Sequence, residues 1–473
     1  MTTRTSTPSN RSLLRAGERG GISRRALLAG GAGAVGLAGV AFALRRKLRA
    51  RLSAWTRLPS FAATPPLVPH DPQRDRRTLY VAAGAGPAAN IDAVVDKLGG
   101  IGAIVGKDDV VLIKVSAQWW NQGMTNVAAV RRMIEHVLER PDFAGEIVVF
   151  ENTHFRLPDG SGLSRAWTRP SERNVDVPGM TRLGDLIDYF RGKPVGFVGL
   201  VDAGLSALSG DHWHDPDHAH GVYGGDGRGP IAPGEIRDGY VWDFDAAFRV
   251  KRSWVDWAQT PLTYPVFTSP VSGLIVDFRR GALRRTDGGV ESAGRKLTWI
   301  NMTTANEHEA TGFTGACKST MGVVDMSAGR LGTDPRVQDY LSVHHFGSPN
   351  AKWRMAGPLA QFAREVRAPD LIVTVAEWVA ATPPGPRGAA WDGEREDIRL
   401  AADSAFRTRT VVAGTDPVAI DTWCVRNLLM PIAGARKAIY DLDDDQSRVV
   451  KFLRYYRQVY GSGTLDPALI DVV

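Results

Sequence analysis

The chain has 473 residues, 43% hydrophobic and 23% charged, long enough for a full core and too ordinary in composition for disorder throughout. Its formal net charge of +7 suggests nucleic acid or anionic lipid as a partner, but ten net positive charges fall within residues 1–51, which leaves the remainder at −3. The folded part is therefore mildly acidic, and nucleic-acid binding loses its support.

The N-terminus accounts for that charge. Ser23-Arg24-Arg25-Ala26-Leu27-Leu28 resembles a twin-arginine export signal, and the uncharged, Ala- and Gly-rich stretch from Ala26 to Leu44 follows it. Ala41-Phe42-Ala43 offers a small-x-small cleavage site. A plain membrane anchor is the alternative: at ~1.5 Å per residue the stretch spans about 28 Å, a bilayer core. The basic run from Arg45 to Arg51 favours that alternative, because such charges tend to stay cytoplasmic. Residues 1–51 are thus expected to be signal or anchor, with the twin-arginine machinery as partner. The protein is expected outside the cytoplasm, in the periplasm or cell envelope, and held at the membrane through this segment if it is not cleaved.

The prolines Pro59, Pro65, Pro66, Pro69 and Pro72 make residues 52–77 a stiff linker. From residue 78 onward the pattern alternates. Leu79–Ala83 predicts a strand, Ile91–Leu98 a helix and Val110–Val115 a buried strand. Asn126 caps a helix whose Val130, Met133, Ile134, Val137 and Leu138 share a face, and Ile147–Phe150 is a further buried strand. A helix at Leu183–Phe190 and a strand at Val195–Val201 continue the series. Such spacing predicts an α/β fold, a mainly parallel sheet flanked by helices. Asp202–Asp243 then reads as a long Gly/His-rich loop insertion. Strands resume at Leu274–Phe278 and Leu297–Met302. A helix near Leu359–Val366, strands at Leu371–Val375 and Thr410–Ala413, a helix from Pro417 and an amphipathic helix at Val449–Val459 complete the chain. One domain over residues 78–473 is expected; two lobes divided at the Asp202–Asp243 loop are the alternative.

Four segments carry a family resemblance. Val111-Leu112-Ile113-Lys114 precedes Gly123-Met124-Thr125-Asn126; His308-Glu309-Ala310-Thr311-Gly312-Phe313-Thr314-Gly315-Ala316-Cys317-Lys318 forms the second segment. Pro369-Asp370-Leu371-Ile372-Val373, with Gly385-Pro386-Arg387-Gly388 after it, is the third. Val412-Ala413-Gly414-Thr415-Asp416-Pro417-Val418-Ala419-Ile420-Asp421 is the fourth and most specific. In this order they resemble the domain of unknown function 362 family over roughly Val110 to Met430. The chain departs from the family pattern at Val115-Ser116, Asn306 and Ser319, and it lacks the ferredoxin-like module of some relatives. Any relative's electron-transfer role therefore does not carry over to this chain. Its two cysteines, Cys317 and Cys424, exclude a cysteine-ligated iron–sulfur cluster within one chain. They allow one disulfide or two separate buried thiols.

Lys114, Glu151 and Asp416 each fall just past a predicted strand, where open parallel sheets bind ligands. With His308, Lys318 and Asp421, the residues Lys114 and Glu151 form the candidate catalytic set. Thr125, Asn126, Thr415 and Asp416 are the candidate ligand-binding residues. Asp416 before Pro417 also has a complete explanation as a helix cap, and Asp421, one turn further in, is open to a salt bridge. Lys318 follows a small-residue turn suited to an anion, and Cys317 beside it has a route to a lowered thiol pKa.

His212-Trp213-His214-Asp215-Pro216-Asp217-His218-Ala219-His220 packs four imidazoles and two carboxylates together, a donor set for a divalent transition metal. A solvated His-rich loop is the alternative. His308, His344 and His345 form a second set. Two readings follow: a metal-dependent enzyme acting on a small anionic substrate, or an extracytoplasmic metal- or solute-binding protein without turnover. Export is directly testable: residues 1–60 fused to a reporter active only when exported folded should lose all signal when Arg24 and Arg25 become Lys. Retained signal would point to the membrane-anchor alternative.

Overall fold

The computed structural model describes residues 75–152, 164–203, 222–223, 229–251, 257–308, 310–328, 340–346, 351–381 and 405–473. The segment expected to be an export signal, nearly all of the expected linker, the His212–His220 cluster and Gly385–Gly388 lie outside the described residues. Among the described residues no helix is long and apolar enough to cross a membrane.

Among the described residues sixteen strands occur in chain order. They are β1 (Arg77–Ala83), β2 (Val110–Lys114), β3 (Glu146–Asn152), β4 (Val195–Leu200), β5 (Val222–Tyr223), β6 (Gly239–Lys251), β7 (Trp257–Thr268) and β8 (Ile275–Asp277). Then come β9 (Gly281–Thr286), β10 (Gly289–Ser292), β11 (Leu297–Thr303), β12 (Asn306–His308), β13 (Gly312–Thr314), β14 (Leu371–Val379), β15 (Phe406–Gly414) and β16 (Ile470–Val472). The main sheet has nine strands in the order β16-β1-β15-β14-β11-β2-β3-β4-β5. Every neighbouring pair is parallel except the two made by β15, which opposes both β1 and β14. The expected α/β fold with a mainly parallel sheet is therefore what forms.

The central strands explain their own position. Every residue of β2, β3 and β11 is buried, as a strand covered on both faces requires. Their alternate residues feed two cores. Val111, Ile113, Ile147 and Val149 face the helices α1 (Pro87–Lys97) and α2 (Val127–Leu138), whose Ile91, Val94, Val130, Met133 and Val137 complete one core. Val110, Leu112, Val148 and Phe150 face the other way, toward α3 (Ala356–Glu365), α4 (Pro417–Cys424) and α5 (Arg448–Tyr460). Caps set the helix ends: Asn126 accepts from the Ala129 N–H at 3.2 Å, Ser447 from Val450 at 3.1 Å, and Gly461, with φ 88°, closes α5.

A second sheet, antiparallel and in the order β10-β9-β8-β7-β6, shares the second core. Its long β6–β7 pair was not legible in the sequence, and β6 starts inside the stretch read as loop. Pro261 and Pro265 interrupt β7, and the register shifts between Asp243 and Phe248, so no sustained alternation survives. Aromatic rings join this sheet to the main one: Phe278 lies 5.5 Å from Phe150 and 5.7 Å from Trp299, and Trp299 lies 6.3 Å from Phe362 of α3, centroid to centroid. The chain from Pro65 to Val473 is one compact unit. At its ends Asp75, fully buried, pairs with Arg457 of α5 at 2.8 Å, and β16 runs beside β1.

Because Trp299 touches both sheets and α3, Trp299→Ala should cost about 3–5 kcal/mol. Urea unfolding measures it; a loss below about 1 kcal/mol would mean that the two sheets do not depend on this contact.

Candidate functional site

Two neighbouring strands of the main sheet, β2 and β11, send their crossovers to opposite faces. From β2 the chain passes through α2 on the first face to β3; from β11 it passes through α3 on the second face to β14. The chain thus leaves the carboxyl ends of β2 and β11 in opposite directions, and a crevice opens there. Lys114 and Asn301 are register partners at this edge, and Lys114 pairs across to Phe150, next to Glu151.

A cleft of about 530 Å³, counting the open solvent at its mouth, occupies the crevice. Lys114 and Glu151 form its floor; Thr303, Thr304 and His308 come from the end of β11 and from β12; Thr314, Lys318 and Ser319 come from β13 and the helical turn Ala316–Ser319; Ser116 and Trp119 follow β2. Four residues singled out from sequence, Lys114, Glu151, His308 and Lys318, therefore share one cavity. Sequence reasoning missed Ser116, Trp119, Thr303, Thr304, Thr314 and Ser319. Thr303 and Thr304 carried a readable signal, hydroxyls just past the apolar run of β11.

Lys114 Nζ stands 2.9 Å from Glu151 Oε2, and both side chains are almost wholly buried. The ammonium also donates to Ser319 Oγ at 2.9 Å, and Ser319 in turn donates to Asn301 Oδ1 at 2.9 Å. Despite the short ion-pair distance, Oε2 accepts no well-aligned hydrogen bond among the described residues, and the Asn301 amide nitrogen likewise donates none. Burial pushes the Glu151 carboxyl up to about 7, against the opposing pull of Lys114 and Lys318. Lys318 Nζ touches Met321 Sδ at 3.2 Å. The Ala310 N–H donates to His308 Nδ1 at 3.1 Å, so the neutral ring carries its proton on Nε2. His344 lies 6.4 Å from His308 and 5.3 Å from His345, ring to ring, and His345 Nδ1 sits 2.9 Å from Ser342 Oγ.

The remaining candidates sit elsewhere. Asp421 does not line the cleft: its two oxygens accept the Ala316 N–H at 2.6 Å and the Cys317 N–H at 2.9 Å, which fixes the turn that presents Lys318. This backbone clasp takes the place of the salt bridge considered from sequence. Thr125 Oγ1 accepts from Ser116 and donates to the Met302 carbonyl, and Asn126 caps α2 while donating to Asp176. Asp416 caps α4 through Val418 and Ala419 and pairs with Arg77 at 2.8 Å; Thr415 beside it is exposed. Both follow β15, the one reversed strand, so the carboxyl end that was expected to face the ligand lies at the opposite edge of the sheet.

Cys317 and Cys424 are free and buried. Burial, with Asp421 beside it, pushes the Cys317 thiol up, the reverse of the activation considered from sequence. Among the described residues no three or more His, Cys, Asp or Glu side chains are grouped to hold a metal ion. The metal candidates His212, His214, His218 and His220 lie outside the described residues.

A family model described as a domain of unknown function (DUF362) matches residues 297–426. The matched stretch runs from β11 past α4, so it includes Thr303, His308, Lys318 and Asp421 of the site and its support, while Lys114 and Glu151 precede it. No curated protein matches the chain.

Burial pushes three carboxyls, Glu151, Asp325 and Asp421, each up to about 7. Each binds a proton in the folded state at pH values where the unfolded chain has released it. The stability this contributes is full below the ordinary carboxyl range and is lost as pH rises through about 7. The thermal midpoint should therefore fall from about pH 5 to about pH 8, with a shallower slope in Glu151→Gln. A midpoint rising over that range would contradict the burial argument.

Proposed function

We propose that the protein is an enzyme that binds a small anion in this switch-point cleft and moves a proton with Glu151. The observation that carries the reading is a buried carboxylate at the end of β3, paired with Lys114 and facing a cavity that also holds Lys318 and the His308 ring. Two ammonium groups and one carboxylate leave the floor with a net positive charge when all are ionised, which favours an anion. The hydroxyls of Ser116, Thr303, Thr304 and Thr314 supply hydrogen bonds around it. A carboxyl pushed up to about 7 suits a general base or acid, since proton transfer is most effective when the catalytic group titrates near the working pH.

The chemistry assigned to each residue is simple. Lys114 and Lys318 hold the negative group, His308 donates from Nε2, and Glu151 accepts or returns the proton. Asp421 acts through the backbone as a positioning residue. The two ammonium groups of the lining repel a cation beside Glu151 and His308, so no step is assigned to a metal in the cleft; any metal dependence rests on His212, His214, His218 and His220. Export by the twin-arginine route, with an extracytoplasmic site of action, accompanies this reading on the strength of Ser23–Leu28 alone.

Binding without turnover is the competing reading. Calorimetric titration with acetate, sulfate and inorganic phosphate tests the shared part: Lys318→Gln should weaken binding about ten- to a hundred-fold, as loss of a hydrogen bond to a charged group does. Thr415→Ala, outside the cleft, should leave it unchanged. Equal affinity in Lys318→Gln would remove the anion reading. Deuterium exchange into the C–H positions of small carboxylates then separates the two: exchange that vanishes in Glu151→Gln marks an enzyme, and binding with no exchange marks a solute-binding protein.

A further inference from the structure

We propose, on the basis of the anion reading above, that the cleft takes up one proton with each small oxyanion it binds, and that Glu151 receives it. The geometry leaves the carboxylate little alternative. Gly322 lies so close that a Cβ there would come within 2.7 Å of both Glu151 oxygens, so the side chain is walled in on that side. It is held on the other by Lys114 at 2.9 Å. An oxyanion reaching for Lys114 and Lys318 enters the same cavity and competes for the Lys114 ammonium. Two negative groups sharing one cation away from water repel each other, and a carboxylate that cannot swing aside is relieved by protonation. The protonated acid then gains an O–H with which to donate to the anion. Its Oε2, which accepts no well-aligned hydrogen bond among the described residues, is one of the two places for that proton.

Before an anion binds, the neighbouring ammonium groups hold the carboxylate in its ionised form, and the anion removes that support by drawing them to itself. Lys114 from β2 and Lys318 from the turn after β13 are the cations that act on Glu151. Tyr240 of β6 feels the charges of Glu151 and of the buried Asp202 and Asp325, none of which but Glu151 lines the cleft. His308, from β12, has Nδ1 occupied by the Ala310 N–H. The Ala117 N–H donates to Glu151 and is the backbone contact that favours its ionised form. Burial has already brought the carboxyl up to about 7 in the empty cleft, so a further rise of about a hundredfold in its proton affinity, caused by the bound anion, keeps it protonated at about pH 8.

Acetate and sulfate are the probes, because neither changes protonation between about pH 6 and 9. Calorimetry at about pH 8, in two buffers of different ionisation enthalpy, should register close to one proton taken up per anion. Affinity should fall about tenfold per pH unit above about pH 7 and level off below about pH 6. In Glu151→Gln, which mimics the protonated acid, binding should persist with no pH dependence and no proton uptake. The two probes distinguish a planar carboxylate from a tetrahedral oxyanion as the preferred guest. Lys318-dependent binding with no proton uptake in the wild-type protein would overturn this inference and leave the anion reading intact. Absence of Lys318-dependent binding for both probes would overturn the two together.

Discussion

The site depends on one topological constraint. A right-handed crossover after β2 must place its helix on one face of the sheet, while the crossover after β11, heading the other way along the same sheet, must place its helix on the other face. The two chains therefore part at the carboxyl ends of adjacent strands, and backbone cannot fill the gap between them. Side chains that end those strands face a cavity by construction. Lys114 and Asn301 do so as register partners, and Glu151 does so one strand away. Changing any of these residues changes the chemistry of the crevice, but its presence follows from strand order.

Electrostatics then decides how the crevice behaves. A carboxylate and an ammonium both removed from water carry a desolvation cost that their attraction only partly offsets. The Lys114–Glu151 pair is stationed where that cost is useful, since an ion pair strained by burial responds to a third charge more readily than a solvated one. The supporting structure is correspondingly rigid. Ser319 joins the ammonium to Asn301, Gly322 closes over the carboxylate, and Asp421 clasps the turn that carries Lys318. Helix α4 thus reaches the site without touching the cavity, from a strand that ends at the far edge of the sheet.

How much of this could be read beforehand differs by element. β2, β3 and β4 announce themselves as uninterrupted apolar runs, because a central parallel strand is covered on both faces and has no polar side to display. Asn126 and Asp416 announce helix starts because a side-chain oxygen satisfying free N–H groups is a local bond, made within three residues. The β6–β7 pair was hidden by two prolines and a bulge, whose compatibility with a strand is settled by the partner across the ladder and not by local sequence.

The sequence by itself determined the fold class, the central strands, the helix caps and the identity of four chemically able residues, Lys114, Glu151, His308 and Lys318. Tertiary structure alone decided that these four meet in one cleft and that Asp421 serves the backbone. It also decided that Asp416 faces away from the cleft. The physical reason is that apolar periodicity records burial and nothing about direction: a strand reads the same whether it runs with its neighbours or against them. β15 runs against them, and that one reversal, fixed by pairing with β14 and β1 across distant chain segments, sends Thr415 and Asp416 to the opposite edge of the sheet.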